Sequence, residues 1–380
     1  MHILVAPNAF KNSLTATAAA DAIREGLLES GLKCVIQCFP IGDGGDGTAS
    51  LIVKHLDGFF IDAQAHDPLG RKINTSIGFV DEGKTAVIEM ADVSGLKLLR
   101  EKEPDPIHAN SFGCGELIRL ALHYGAQKII LGVGGSATID GGCGALQAMG
   151  ARFLDRSKNE LVPMPESLIE LDTVDISAID RRIFDTEFII LCDVDNFLLG
   201  EKGAAAVFGP QKGATKENIV QLEKALSRWR DVTLKQTGMD MDIIRHGGAA
   251  GGISAGLNIY LNAKLVQGIE YFLDITEFEK SLENFNLLIT GEGSIDLQTL
   301  DGKGPFGVAR RAKKRNITVI GLAGKISSTA KTELDRYFDM LLPVNQPDED
   351  LKTSMLHTAE NLRRKAIQLG KMISKGSFPS

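Results

Sequence analysis

The sequence predicts an α/β protein: a doubly wound parallel sheet with a second, mixed α/β domain inserted into it. Three observations carry this. Short apolar runs alternate with helical patterns at both ends of the chain. A block of strand-like segments joined by tight turns interrupts that alternation near residue 59. Glycine-rich stretches follow several of the apolar runs, where parallel strands release the chain into loops.

Residues 3–6 are apolar and read as a first strand, ending in Pro7-Asn8-Ala9-Phe10-Lys11-Asn12-Ser13. Thr15 offers an N-cap, Ala16, Ala19, Ile23 and Leu27 follow at helical spacing, and Gly31 stops the helix. Residues 35–39 read as a second strand, followed by the 40–48 loop and another helix. Residues 59–66, 72–80 and 84–90 read as strands joined by Pro68-Leu69-Gly70 and Asp81-Glu82-Gly83, both turn chemistry. A helix through Leu117, Ile118, Ala121 and Leu122 and a strand at 128–131 resume the first pattern. Residues 188–192 form a further strand, and 219–234 a helix with Leu222, Leu226 and Trp229 on one face. The strand–helix rhythm returns with strands at 287–290, 318–322 and 340–344. A last helix carries Leu351, Met355, Ala359, Leu362, Ala366 and Leu369 on one face. The expected division is 1–56, 105–150 and 286–380 for the doubly wound domain, with 57–104 and 151–285 forming the insertion.

Composition narrows the function. At 380 residues, with 43% hydrophobic and 24% charged, the chain suffices for two domains with real cores. A net charge of −7 without a basic stripe argues against nucleic acid as a partner. No apolar span or signal-like leader is read, so no membrane partner is expected and the expected location is the cytoplasm. The five cysteines show no metal-ligand spacing and suggest no disulfide framework. Oligomeric state is not legible.

Four loops concentrate candidate chemistry. The stretch Gly134-Gly135-Ser136-Ala137-Thr138-Ile139-Asp140-Gly141-Gly142 follows an apolar strand and precedes a helix. Backbone N–H groups there suit an anion, Ser136 and Thr138 add hydroxyls, and Asp140 could hold a metal or a substrate hydroxyl. The plainer alternative is a tight turn with a capped helix. Gly42-Asp43-Gly44-Gly45-Asp46-Gly47 matches the spacing of a dinucleotide loop. Asp43 and Asp46, however, would repel a pyrophosphate. Those acids suit Mg2+, or else cap the following helix. Asp193 and Asp195 follow a strand on one side of an extended chain and could share a cation or orient a hydroxyl. In the 291–303 segment, Glu292 and Asp296 are candidate ligand or base, and Lys303 a phosphate contact. Lys11 and Lys212 are similar cations in loops. A protein-kinase signature set is missing from the sequence.

Taken in order, these loops resemble those of the bacterial glycerate kinases of the type met in glucarate, galactarate and glyoxylate metabolism. The resemblance rests on Ala6-Pro7-Asn8-Ala9-Phe10-Lys11-Asn12-Ser13-Leu14, Asp43-Gly44-Gly45-Asp46-Gly47-Thr48 and the 134–142 stretch. It continues in Asp193-Val194-Asp195-Asn196, the 207–214 segment around Lys212, and Gly291-Glu292-Gly293-Ser294-Ile295-Asp296. The chain departs from the family pattern where Asn8-Ala9 replaces Asp-Ser, Asp46 replaces Glu, Ile139 replaces Asn, Phe197 replaces Pro and Ser294 replaces Arg.

The resemblance implies ATP-dependent phosphorylation of D-glycerate, expected at the 2-hydroxyl, by a flavodoxin- or Rossmann-like domain and a mixed α/β insertion, with substrate in the cleft between them. Phosphoryl transfer then needs a phosphate cradle, a metal, a base and cations. Gly134, Gly135, Ser136 and Thr138 are the cradle candidates. Asp43, Asp46 and Asp195 are the candidate Mg2+ ligands. Asp193 and Asp296 are candidate bases, Lys11 a catalytic cation, and Lys212, Glu292 and Lys303 substrate or phosphate contacts. A 3-hydroxyl kinase, a kinase for another hydroxy acid, an oxidoreductase and a non-catalytic sensor are the alternatives.

Overall fold

The computed structural model describes residues 1–101, 103–162, 165–296, 299, 302–327, 331–345 and 350–376, excluding the side chains of residues 331 and 351. These fall into two compact units, Met1–Asp43 with Ile269–Ser380, and Gly44–Gly268.

The first unit opens with β1 (His2–Val5) and β2 (Val35–Cys38). The second contains β3 (Phe59–His66), β4 (Lys72–Val80), β5 (Thr85–Glu89), β6 (Lys128–Gly132), β7 (Arg152–Leu154), β8 (Thr173–Asp175), β9 (Glu187–Cys192) and β10 (Lys264–Gln267). The chain returns to the first unit with β11 (Leu287–Ile295), β12 (Thr318–Ile326) and β13 (Met340–Pro343).

In the first unit five parallel strands lie in the order β2-β1-β11-β12-β13. Counted within the unit this is 2-1-3-4-5, the flavodoxin-like order, so the doubly wound fold class expected from the strand–helix rhythm is present. Its core joins Ile3, Val5, Ile289 and Leu322 of the sheet to Ile23 and Leu27 of the helix Ala16–Glu29. Full burial of each such side chain contributes roughly 1.5–3 kcal/mol. That helix starts where expected: Thr15 Oγ1 accepts the Ala18 N–H at 3.2 Å.

The second unit holds a six-stranded sheet in the order β10-β9-β6-β5-β4-β3. Its first four strands are mutually parallel, and β4 and β3 extend the edge antiparallel. This is the mixed α/β domain expected, but its boundaries differ. The strand at 128–132 belongs here: it pairs with β5 and β9, not with the first unit's sheet. A strand–helix rhythm announces a parallel strand without saying which of two parallel sheets it joins. Both edges also lie earlier in the chain than expected. Residues 44–56 belong with the second unit. The helix Gly268–Ile275 packs through Ile269 against Gly307, where an added Cβ would lie 2.5 Å from Ile269 Cγ1.

Three elements are longer or shorter than their sequence pattern. Strands β11 and β12 run on through the glycine motifs, with Gly291 paired to Leu322 and Ser294 to Lys325. The final helix is two, Leu351–Leu356 and Thr358–Ser374, broken at His357; Leu362, Ala366 and Leu369 are buried but Ala359 is exposed. The side chain of Leu351 lies outside the described residues. Among the described residues all five cysteines are free, and no helix is long and apolar enough to cross a membrane.

Candidate active site

In an open parallel sheet the crevice for a ligand lies beyond the carboxyl ends of the strands where the order reverses. In the first unit that place is between β1 and β11. Residues 9–11, past the end of β1, and residues 292–294, at the end of β11, line one cavity of about 300 Å³ there. Lys11, Ser13, Glu292, Ser294, Lys303 and Thr358 are among its walls. Lys303 is the N-cap residue of the helix Gly304–Lys313, so the helix N-terminus adds its positive end to the two lysines.

The acids here are organised by hydrogen bonds. Thr299 Oγ1 donates to Glu292 Oε1 at 2.9 Å and accepts from Asp296 N at 3.1 Å; Ser294 Oγ donates to Asp296 Oδ2 at 3.3 Å. Asn8 Nδ2 donates to Asp43 Oδ2 at 2.7 Å. Burial, and then the charge of Asp43, push the Glu292 carboxyl up to about 8, while Lys303 pulls the other way. The expected Lys11, Glu292, Asp296, Lys303 and Asp43 thus all belong to this unit. Leu297, Gln298, Leu300 and Asp301 of the same motif lie outside the described residues.

In the second unit the glycine-rich stretch is built differently from its sequence reading. The helix that follows it, Cys143–Ala148, is six residues long, and its N-terminus is already filled by a side chain. Asp140, fully buried, accepts from Gly142 N at 3.1 Å and Gly144 N at 3.1 Å. It also accepts from Ser111 N at 2.8 Å and Ser111 Oγ at 2.7 Å, at the start of the helix Phe112–His123. Asp140 is therefore itself the anion at this helix end, and its oxygens are spent on the chain. Burial raises its pKa against the pull of those four donors.

Lys212 also departs from the phosphate-contact expectation. Its side chain is 2% exposed, and Nζ donates to Ser136 Oγ at 2.8 Å and Thr138 O at 2.7 Å. Burial pulls its pKa down to about 7, against the nearby Asp140 charge. Lys212 holds the 136–138 backbone; it is not a solvent-facing cation. Of the cradle residues, Gly135 is exposed and Ser136 and Thr138 are buried. Gly134 is required by packing: its N–H donates to Gly44 O at 2.9 Å, and a Cβ would lie 2.4 Å from Gly45 Cα.

Asp46 and Asp195 of the expected metal set each pair with other groups. Asp195 is exposed and paired with Arg245 Nη2 at 2.8 Å and His246 Nδ1 at 3.1 Å. Asp46 belongs instead to a carboxylate cluster with Glu89 and Asp92, the only such group of three among the described residues. A lysine already serves that cluster: Lys97 Nζ lies 2.7 Å from Asp46 Oδ1 and 2.8 Å from Asp92 Oδ1. Burial works to raise the Asp46 carboxyl, but the bonds from Glu89 and Lys97 outweigh it and hold the group below its ordinary value. Neither acid caps the next helix: Gly47 is its N-cap, at φ 92°, with no side-chain bond. Glu89 does that work from 42 residues away, accepting from Gly47 N and from Ala49 N at 3.1 Å. Asp193 is exposed, just past the end of β9. Glu89, Asp92 and Lys97 escaped the sequence reading because no spacing rule links residue 89 to residue 47.

A sequence profile described as the glycerate kinase family matches residues 3–374. A glycerate kinase of Bacillus subtilis (strain 168) is 40% identical over 98% of this chain and 98% of its own. A glycerate 2-kinase of Escherichia coli (strain K12) is 41% identical over 92% of this chain and 93% of its own. A crystal structure of a candidate glycerate kinase 2 from Salmonella typhimurium LT2 superposes with a TM-score of 0.83 at 38% identity, covering 99% of both chains.

Proposed function

The chain belongs to the glycerate kinase family, and we propose that it transfers the γ-phosphoryl group of ATP to the 2-hydroxyl of D-glycerate. The observation that carries this is likeness along nearly the whole chain to kinases of glycerate, one of them named for the 2-position. The place is proposed to be the cytoplasm, where ATP is available.

The proposed chemistry uses the first unit's cavity as an acid-binding and phosphoryl-binding place. About 300 Å³ is at the small end of ligand pockets and suits a three-carbon acid or a phosphoryl group. Lys11 and Lys303 neutralise carboxylate and phosphoryl charge. The glycerate hydroxyl gives its proton to a carboxylate, Asp296 or Asp193, as its oxygen bonds to phosphorus and the bond from phosphorus to the ADP oxygen breaks. Asp43 and Glu292 fit a Mg2+ ion by donor chemistry: both offer carboxylate oxygens, and Glu292 feels the charge of Asp43, a repulsion that a cation relieves. Held by these carboxylates, Mg2+ would supply positive charge to offset the charge that develops on the transferring phosphoryl group. Asp46 and Asp195 are left out of that set, since Lys97 and Arg245 already compensate them.

The test is ADP release in a coupled assay with Mg2+-ATP. Release that depends on D-glycerate is expected. Release that is unchanged when D-glycerate is left out, or no release at all, contradicts the proposal.

A further inference from the structure

The segment from Glu89 to Lys97 makes six hydrogen bonds to residues 46–49 and 132–137, in and beside two glycine-rich loops of the second unit. Its first residue, Glu89, accepts the N–H groups of Gly47 and Ala49 and so fixes the exit of the 44–48 loop. Its last, Lys97, donates to Asp46 Oδ1 of the same loop at 2.7 Å. Between them, Met90 N donates to Gly132 O at 2.9 Å and Leu96 N to Gly135 O at 2.9 Å; Ser94 O accepts from Ala137 N at 2.8 Å. The two loops are tied to each other by Gly134 N donating to Gly44 O. One nine-residue segment therefore sets the separation and the facing of both loops, by backbone bonds in its middle and a hydrogen-bonding side chain at each end.

We infer that Glu89 and Lys97 are positioning residues for phosphoryl transfer, acting through the two glycine-rich loops that their segment holds. The inference rests on the proposed kinase activity. Neither residue is assigned a contact with substrate. Lys97 supplies the cation that keeps Asp46 and Asp92 together, in the place a metal would otherwise fill. Glu89 supplies two acceptor oxygens to two N–H groups, those of Gly47 and Ala49, at a helix start whose own N-cap residue makes no side-chain bond.

The test uses the full chain with Lys97→Met, Lys97→Arg and Glu89→Gln. Lys97 is 41% exposed, so its removal leaves the core intact and the melting temperature within a few degrees of the parent. Loss of loop register lowers kcat by about tenfold or more, with KM for D-glycerate within about threefold, because small misplacements act on the reacting geometry. Lys97→Arg keeps the ion pairs and should recover kcat to within about threefold of the parent. Glu89→Gln offers one acceptor oxygen for two donors, so amide hydrogen exchange in peptides covering 44–49 should quicken by about tenfold or more. The inference is overturned if both Lys97→Met and Glu89→Gln keep kcat within twofold, if Lys97→Arg is as slow as Lys97→Met, or if exchange is unchanged. A parent chain that does not phosphorylate D-glycerate would instead sink the kinase reading, and the exchange data would still decide whether the segment holds the loops.

Discussion

Glu292 shows how much one carboxyl's meaning depends on its surroundings. In the sequence it is an acid between two glycines. In the fold it is buried beside Asp43 and hydrogen-bonded by Thr299, and its pKa rises from 4.5 to about 8. A carboxyl whose folded pKa is raised contributes stability that is complete below its unfolded value and is lost as pH rises toward 8. Glu292→Gln has no such dependence. Without Mg2+, the melting temperature of the parent relative to Glu292→Gln should therefore fall between pH 5 and pH 8.5; a constant difference would contradict the burial argument. The base is tested at the same scale. Asp296→Asn or Asp193→Asn should lower kcat by about 10²-fold or more, whichever residue takes the proton. An unchanged kcat in one variant removes that residue, and unchanged values in both remove the carboxylate base. Lys11 is exposed at the cavity and was legible as a cation in a turn. Lys212 looked the same in sequence and is buried, because only the fold shows that Ser136 and Thr138 close over it.

At the scale of the element, the glycine-rich stretch after β6 is where sequence and structure part most instructively. The turn, the strand before it and the helix after it were all readable from apolar runs and glycines. The direction of the charge was not. Asp140 turns inward and joins the N-termini of two helices, Phe112–His123 and Cys143–Ala148, through four donors. Asp140→Asn puts an amide NH2 where an acceptor is required. It should cost about 2–3 kcal/mol, read as a lower urea midpoint. A midpoint equal to the parent's would show that those bonds carry little. Glu89 illustrates the complementary blindness. Capping is sought within a few residues of a helix start, and here the cap comes from the end of β5. By contrast Thr15 caps its own helix from the adjacent position, so that start was visible in the chain.

Across the whole molecule, the fold class was legible because parallel strands buried on both faces leave continuous apolar runs, as at residues 3–5 and 287–289. The allocation of strands was not, because pairing partners are chosen by long-range register. The strand at 128–132 reads the same whether it joins β1 or β5. The glycerate kinase family runs through both units, since its profile spans residues 3–374. Activity should therefore respond to changes in each unit: to Lys11 and Glu292 in the first, and to the 89–97 segment in the second. The central claim is the transfer itself. The most direct measurement is phosphorus NMR of a mixture of D-glycerate, ATP and Mg2+ with the purified chain. The account predicts that the ATP γ-phosphorus signal declines as a 2-phosphoglycerate signal grows in equal amount. A 3-phosphoglycerate signal would contradict the assigned position, and inorganic phosphate alone would contradict the transfer.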